Sequence, residues 1–219
     1  LYIPNYFDKQ RFSRANADIG LFIIKKEYEK AVHLIKETDD DWSQKLSDYL
    51  DSHLNDYVGA LHLLPKKILL FYVHALQSKL FNGFLSNLIS TTVDSTKLVL
   101  SFDTLHFPTI SSDISSIQNK ELPLIGYDID LTEDQEDVLS TYSLDQMDFI
   151  NRQMPELTLD GETRTCFALA KNITLTKEKE NETNQTIVKA SFTLEKGTYA
   201  TMVLKTIFAN RLATTEFDL

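Results

Sequence analysis

Ile3-Pro4-Asn5-Tyr6-Phe7-Asp8-Lys9-Gln10-Arg11-Phe12 is the densest mixture of aromatic, amide and cationic side chains in the chain, and it precedes the first periodic pattern. Pro4 fixes its own φ and biases Ile3 towards an extended conformation. Asn5 tolerates turn geometry, and its amide both donates and accepts. Phe7 and Phe12 offer faces on which a planar ligand can stack, while Lys9, Arg11 and Arg14 bring cations to the same place. A loop holding an amide, an aromatic face and several cations reads as a nucleotide site. The plainer reading is that Asn5 caps a turn and the two phenylalanines pack inside.

Asn5-Tyr6-Phe7-x-x-Gln10-Arg11-Phe12 resembles the NYFGxQRFG motif of the TruD family of tRNA pseudouridine synthases. Later segments agree in order. The helical pattern Leu64 to Leu80, followed by Phe81-Asn82, is similar to the family's long helix ending in LFN. Met154-Pro155-Glu156-Leu157 and Gly161-Glu162-Thr163-Arg164 resemble its MPEL…GxxR stretch. Ser191 to Leu204, with Gly197, Tyr199, Ala200 and Thr201 inside it, looks like FxLPxGxFATxVLRE near its end. The resemblance implies an α+β fold, part of a pseudouridine-synthase catalytic domain carrying an inserted, mostly helical domain. Residues 1–38 and 160–219 then belong to the catalytic domain and residues 39–159 to the insertion. It also implies tRNA as partner, a flipped-out uridine as substrate, and no metal or nucleotide cofactor. Asn5 takes the role of orienting the catalytic carboxylate and Phe7 that of packing against the base. Lys9, Arg11 and Arg14 contact phosphate or brace the loop.

The chain departs from that pattern in two ways. Asp8 and Ser13 stand where the motif has glycines. If those backbones need positive φ, both are poorer than glycine, Asp less so. Asp8 also sets a negative charge where RNA phosphate approaches. The family's catalytic aspartate, in a G-x-K-D-type motif upstream of NYFG, has no counterpart in these residues. The chain therefore reads as the C-terminal part of a longer protein, or one piece of a split enzyme, unable to catalyse by itself. The alternative is a non-catalytic RNA- or protein-binding module built on the same fold.

At 219 residues, with 42% hydrophobic and 25% charged residues, the chain can bury a sizeable core. A single cysteine, Cys166, excludes an internal disulfide framework and suits a reducing compartment. No apolar run reaches the roughly 18 residues of a membrane span, and a cytoplasmic location is expected. The net charge of −10 is unusual for an RNA-binding protein. Acid concentrates at Glu37 to Asp41, Asp128 to Asp137 and Asp145 to Asp148, reading as a solvated face. The first fourteen residues are net basic, so RNA is expected there. His33, His53, His62, His74 and His106 are scattered without metal-ligand spacing, and no metal site is expected. His74 reads as a core or boundary residue, and Trp42 as a core anchor rather than a stacking platform.

Along the chain, spacing predicts a helix from Asn16 to about Glu37, a second over Trp42 to Tyr57 ended by Gly59, and a third opened by Pro65. The third is apolar on more than one face and reads as a central buried helix. Leu98 to Phe102 reads as a strand, and 103–118 as loop. Thr132 and Gln135 have capping-box spacing and open a helix to about Thr141. Leu144 to Gln153 is expected to be helical, stopping before Pro155. Two strands, Thr165 to Glu178 and Gln185 to Leu194, flank a polar tip, and Gly197 turns the chain into a helix from Tyr199 to about Ala209.

Overall fold

In a computed structural model, the described residues are 1–12, 15–179 and 186–212. The fold is α+β. Strand β1 (Tyr2–Pro4) and a 3-10 turn (Lys9–Arg11) lead into five helices: α1 (Asn16–Ile24), α2 (Tyr28–Thr38), α3 (Asp40–Ser52), α4 (Tyr57–Leu61) and α5 (Lys66–Thr92). Strands β2 (Ser95–Val99), β3 (Thr104–Pro108) and β4 (Glu121–Leu124) follow, then α6 (Glu133–Thr141) and 3-10 turns at Gln146–Phe149 and Pro155–Leu157. The remaining elements are β5 (Glu162–Thr165), β6 (Phe167–Leu169), β7 (Lys171–Lys179), β8 (Thr186–Thr193) and α7 (Ala200–Leu212).

The strands form antiparallel pairs: β1 with β6, β2 with β3, β4 with β5, and β7 with β8. Two apolar clusters lie between them and the helices. One joins α1 to α4, the first part of α5, α6 and the 144–159 segment, around Ile23, Val32, Leu46, Leu61 and Val73. The other joins β1, the end of α5, β3, β6 and α7, around Ile3, Tyr6, Phe81, Phe107 and Val203. Helix α5 enters both. Its 27 residues span about 40 Å at 1.5 Å each, and its all-round apolar pattern is what a rod between two cores requires. Among the described residues, no helix is long and apolar enough to cross a membrane.

The expected helix from Asn16 to Glu37 is two helices. Lys26 adopts a left-handed φ of 59°, and the chain reverses there. The apolar spacing is helical on both sides of the break. A straight rod could not deliver Ile19, Ile23, Val32 and Ile35 to one core, and a break lets all four bury. Lys26 Nζ holds the corner by donating to the Asp148 carbonyl at 2.5 Å. Gly59 does not end the second helix. That helix stops at Ser52 and Gly59 sits inside α4, where its N–H donates to Asp56 Oδ1 at 2.8 Å.

Asp39 caps α3, and Thr132 with Gln135 forms the anticipated capping box on α6. Residues 144–153 form only the 3-10 turn. Buried Asn151 there accepts from Tyr28 Oη at 2.9 Å and from the Met154 N–H at 2.9 Å, which holds the backbone out of a helix. The 103–118 stretch contains a strand after all. Leu105 and Phe107 alternate inwards opposite β2, which begins at Ser95 rather than Leu98. The run from Thr165 is not one strand. It changes partner at Cys166 and at Ala170, so one extended path serves three pairs in turn: β4, β1 and β8.

Gly20 is where α1 touches α5. A Cβ there would stand 2.8 Å from the Tyr72 carbonyl carbon and closer still to its oxygen. Alanine favours a helix interior by up to about 1 kcal/mol over glycine, but overpacking against rigid backbone costs more, up to about 3 kcal/mol. Gly20→Ala is therefore expected to destabilise by about 2 kcal/mol net in urea unfolding. Unchanged stability would mean that the two helices can separate freely.

Candidate nucleotide-binding cleft

The opening motif is built into the protein by pairing across nearly its whole length. Strand β1 places Pro4 opposite Phe167, and the Asn5 N–H donates to the Cys166 carbonyl at 2.8 Å. Asn5 is 6% exposed. Its Nδ2 donates to the Thr165 carbonyl at 3.1 Å and to Thr165 Oγ1 at 3.2 Å, using both amide hydrogens. Its Oδ1 accepts from Arg164 Nη2 at 2.6 Å, and its carbonyl accepts from Arg164 Nε at 3.1 Å. Arg164 Nη2 also reaches the Gly197 carbonyl at 3.0 Å. One guanidinium thus ties together the three sequence segments that surround Asn5, Arg164 and Gly197.

Phe7 is 6% exposed. Its ring meets Phe81 and Tyr199 edge-on, with centroids 5.7 and 6.2 Å away. The Arg164 guanidinium lies over it at 4.2 Å and that of Arg11 at 5.5 Å. The Phe7 backbone is held by Asn82 of α5, whose Oδ1 accepts from the Phe7 N–H at 2.9 Å and whose Nδ2 donates to the Phe7 carbonyl at 2.9 Å. Phe12 lies instead on Phe102, with centroids 4.8 Å apart.

Asp8 has an extended backbone, φ −113° and ψ 177°, so the glycine replaced there is not needed for a left-handed turn. Its carboxylate is buried. It accepts from the Lys9 N–H, from Thr201 Oγ1 and from Lys205 Nζ, the last two on α7. Burial opposes its ionisation, but Lys205, Thr201 and the Lys9 N–H outweigh that and hold its pKa below the ordinary value. The charge of Asp8 is thus neutralised inside the protein rather than presented to a ligand. Ser13 and Arg14 lie outside the described residues.

Phe7, Arg11 and Arg164 open onto a cleft of about 480 Å³ whose other walls include His74, Gln77 and Ser78 of α5, and Asp160 and Glu162. Lys9 is exposed on the 3-10 turn and does not line it. The structure therefore brings Phe7 and Arg11 to one cleft, places Asn5 directly behind it, and leaves Lys9 outside. His74 pairs through Nδ1 with Gln77 Oε1 at 3.0 Å, and Gln77 Nε2 donates to the Ile125 carbonyl at 2.7 Å. Burial, partly opposed by Tyr199 and reinforced by the charge of Arg11, lowers the pKa of Arg164, although a guanidinium remains charged. Arg164, Asn82, Thr201 and Lys205 were not singled out by local sequence pattern. The place of the first three in the resembling segments marks them, and Lys205 follows directly on the last of those segments.

The family described as tRNA pseudouridine synthase D (TruD) matches residues 39–207. A "Probable tRNA pseudouridine synthase D" from Nanoarchaeum equitans is 28% identical, with 94% of this chain and 60% of the relative covered. The "tRNA pseudouridine synthase D" of Aquifex aeolicus is 25% identical, with 94% and 61% covered. The crystal structure of the "Putative tRNA pseudouridine synthase D (TruD)" from Methanosarcina mazei has the same fold, with TM-score 0.71, 21% identity, and 93% of this chain and 60% of that one covered. The chain thus spans about 60% of the length of the relatives it matches. The family match covers well over half of the sequence, from α3 through most of α7, and the chain belongs to the TruD family.

Proposed function

We propose that the protein to which this chain belongs isomerises uridine to pseudouridine in tRNA, and that this chain supplies the wall of the active site. The observation that carries the reading is the convergence of Phe7, Arg11 and Arg164 on one cleft, with Asn5 bonded to Arg164 across 159 residues of sequence. The isomerisation breaks the bond between ribose C1′ and uracil N1, turns the base, and joins C1′ to C5. No atom is gained or lost, so no co-reactant is required. What the chain must do is hold the base, exclude water and place charge. Phe7 backs the base. Asn5 orients the catalytic carboxylate, which the remainder of the protein supplies, by exchanging one of its two Thr165 bonds for it. Lys9, Arg11 and Arg14 contact the RNA backbone. Residues 39–159 form the inserted domain. The shared core of β1, β6 and α7 supports joining residues 1–38 and 160–219 as one domain, although α1 and α2 pack into the helical core.

The second reading, a binding module without catalysis, is favoured by Asp8 and Ser13 standing where the motif has glycines. The test is tRNA pseudouridylation by the full-length gene product, with this chain and an Asn5→Ala full-length variant alongside. Activity in the full product, none in the chain, and a loss of at least about tenfold in the variant, about 1.4 kcal/mol of barrier, is the expected pattern. Salt-sensitive tRNA binding with every uridine left unchanged would assign the protein to the second class.

A further inference from the structure

Joining uracil C5 to ribose C1′ leaves C5 still carrying its hydrogen and N1 without one. The C5 hydrogen must then leave as a proton, its electron pair closing the C5–C6 double bond, and N1 must gain a proton. The cleft therefore needs a proton acceptor. Phe7 is a hydrocarbon ring, and Arg11 and Arg164 are cations with no lone pair to offer. Ser78 Oγ donates to the His74 carbonyl at 2.7 Å, and Thr158 Oγ1 accepts from the Asn151 N–H at 3.0 Å, so both hydroxyls are engaged. Asp160 and Glu162 line the cleft but are exposed to solvent, and Asp160 is bonded to Tyr127.

Half-buried His74, on the α5 wall, differs from all of these. Its tautomer is set by a chain of polar groups behind it. The Ile125 carbonyl can only accept, so the end of the buried Gln77 amide that meets it at 2.7 Å is Nε2. The other end, Oε1, can only accept in its turn, so His74 Nδ1, 3.0 Å away, carries the hydrogen. In the neutral ring the free lone pair is then on Nε2. The side-chain nitrogens and oxygens that are buried without a partner among the described residues are Arg11 Nε and Asn151 Nδ2. His74 Nε2 is not one of them, and the ring lines a cleft of about 480 Å³ that also holds Phe7, a volume suited to a nucleoside.

We propose that His74 is the general base of the isomerisation, its Nε2 taking the proton from C5 after uracil has been turned and joined to C1′. The imidazolium so formed returns a proton through water to N1, which balances the step without a co-reactant. Gln77 keeps Nε2 unprotonated at the start of each cycle by holding the hydrogen on Nδ1. The assignment rests on the isomerase reading of the preceding section.

The test is single-turnover kinetics of the full-length gene product on tRNA transcripts carrying uridine, uridine with deuterium at C5, or 5-fluorouridine. His74→Asn is measured alongside, with its fold checked by thermal melting. Asparagine keeps an N–H donor for Gln77 Oε1 and removes the base. The variant should form pseudouridine about a hundredfold more slowly, the contribution of a general base, with its affinity for tRNA unchanged. Deuterium at C5 should slow the variant further, because proton removal has become its slowest step. 5-Fluorouridine has no proton at C5 to lose, so variant and parent should join its C5 to ribose at the same rate. Imidazole added to the buffer should restore part of the lost rate to His74→Ala. A His74→Asn protein as fast as its parent on uridine overturns the proposal, because another group then takes the proton. Equal slowing on uridine and 5-fluorouridine also overturns it, because His74 would then only shape the cleft. A full-length parent that leaves every uridine unchanged overturns the isomerase reading and this base together, a result distinct from either variant outcome.

Discussion

Asn82→Leu is expected to destabilise the protein by about 4 kcal/mol, lowering its melting temperature by about 8–16 °C for a chain of this size. Asn82 is 1% exposed, and its amide satisfies both backbone groups of Phe7 at once. Leucine shares its branched shape but is larger, and it leaves a buried N–H and a buried C=O without partners, at about 1–3 kcal/mol each. The loss should localise. Hydrogen exchange at the Phe7 amide should accelerate well beyond the global change, because that N–H loses its acceptor. Asn87→Leu, at an exposed position of the same helix, should stay within about 0.5 kcal/mol. If Asn82→Leu costs under about 1 kcal/mol, then water reaches the Phe7 backbone and α5 does not hold the motif.

The second large effect concerns Asp8 and Lys205. Lys205→Met should cost about 3 kcal/mol, because it leaves a buried carboxylate with hydroxyl and amide donors but no cation. Asp8→Asn in the Lys205→Met background should restore much of that, since a neutral pair needs no compensation. The double-mutant cycle reads the coupling directly. The pH dependence has a definite sign. The Asp8 pKa is lowered in the folded state, so the folded form favours the ionised carboxylate. Its contribution is fully present above the ordinary value of 3.8 and is lost as pH falls through the lower, folded value. Asp8→Asn should therefore narrow the stability difference from the parent on acidification, and urea midpoints from pH 6 downwards measure it. A constant difference across that range would place the stabilisation elsewhere.

Asp8 also shows how a departure from a motif can be absorbed. Glycine there would place no side chain against α7. Aspartate adds one that reaches Thr201 and Lys205, so the opening loop and the last described helix become a single polar unit. Its charge is spent inside the fold, on Thr201 and Lys205, and not presented at the surface.

Much of the local structure was legible in the residues themselves. Pro4 biases Ile3 towards the extended conformation that it has in β1. The all-round apolar pattern from Leu69 to Ile89 identified the central helix, because only a rod buried on several sides can carry it. The spacing of Thr132 and Gln135 specified a helix start, and Gly197, with its φ of 89°, the turn before the last helix. These are short-range effects, carried by a few neighbouring dihedrals and side chains. What lay beyond the sequence was decided by contacts between distant segments. Apolar spacing runs helically through Lys25-Lys26-Glu27, and only the position of the core required a break there. The run after Thr165 is extended throughout, and only its three partners cut it into three strands. No local pattern says that Arg164 reaches back 159 residues to Asn5, or that Lys205 reaches back 197 to Asp8. Those pairings exist because β1 lies beside β6 and α7 packs on β1, which makes chemical neighbours of the two ends of the chain.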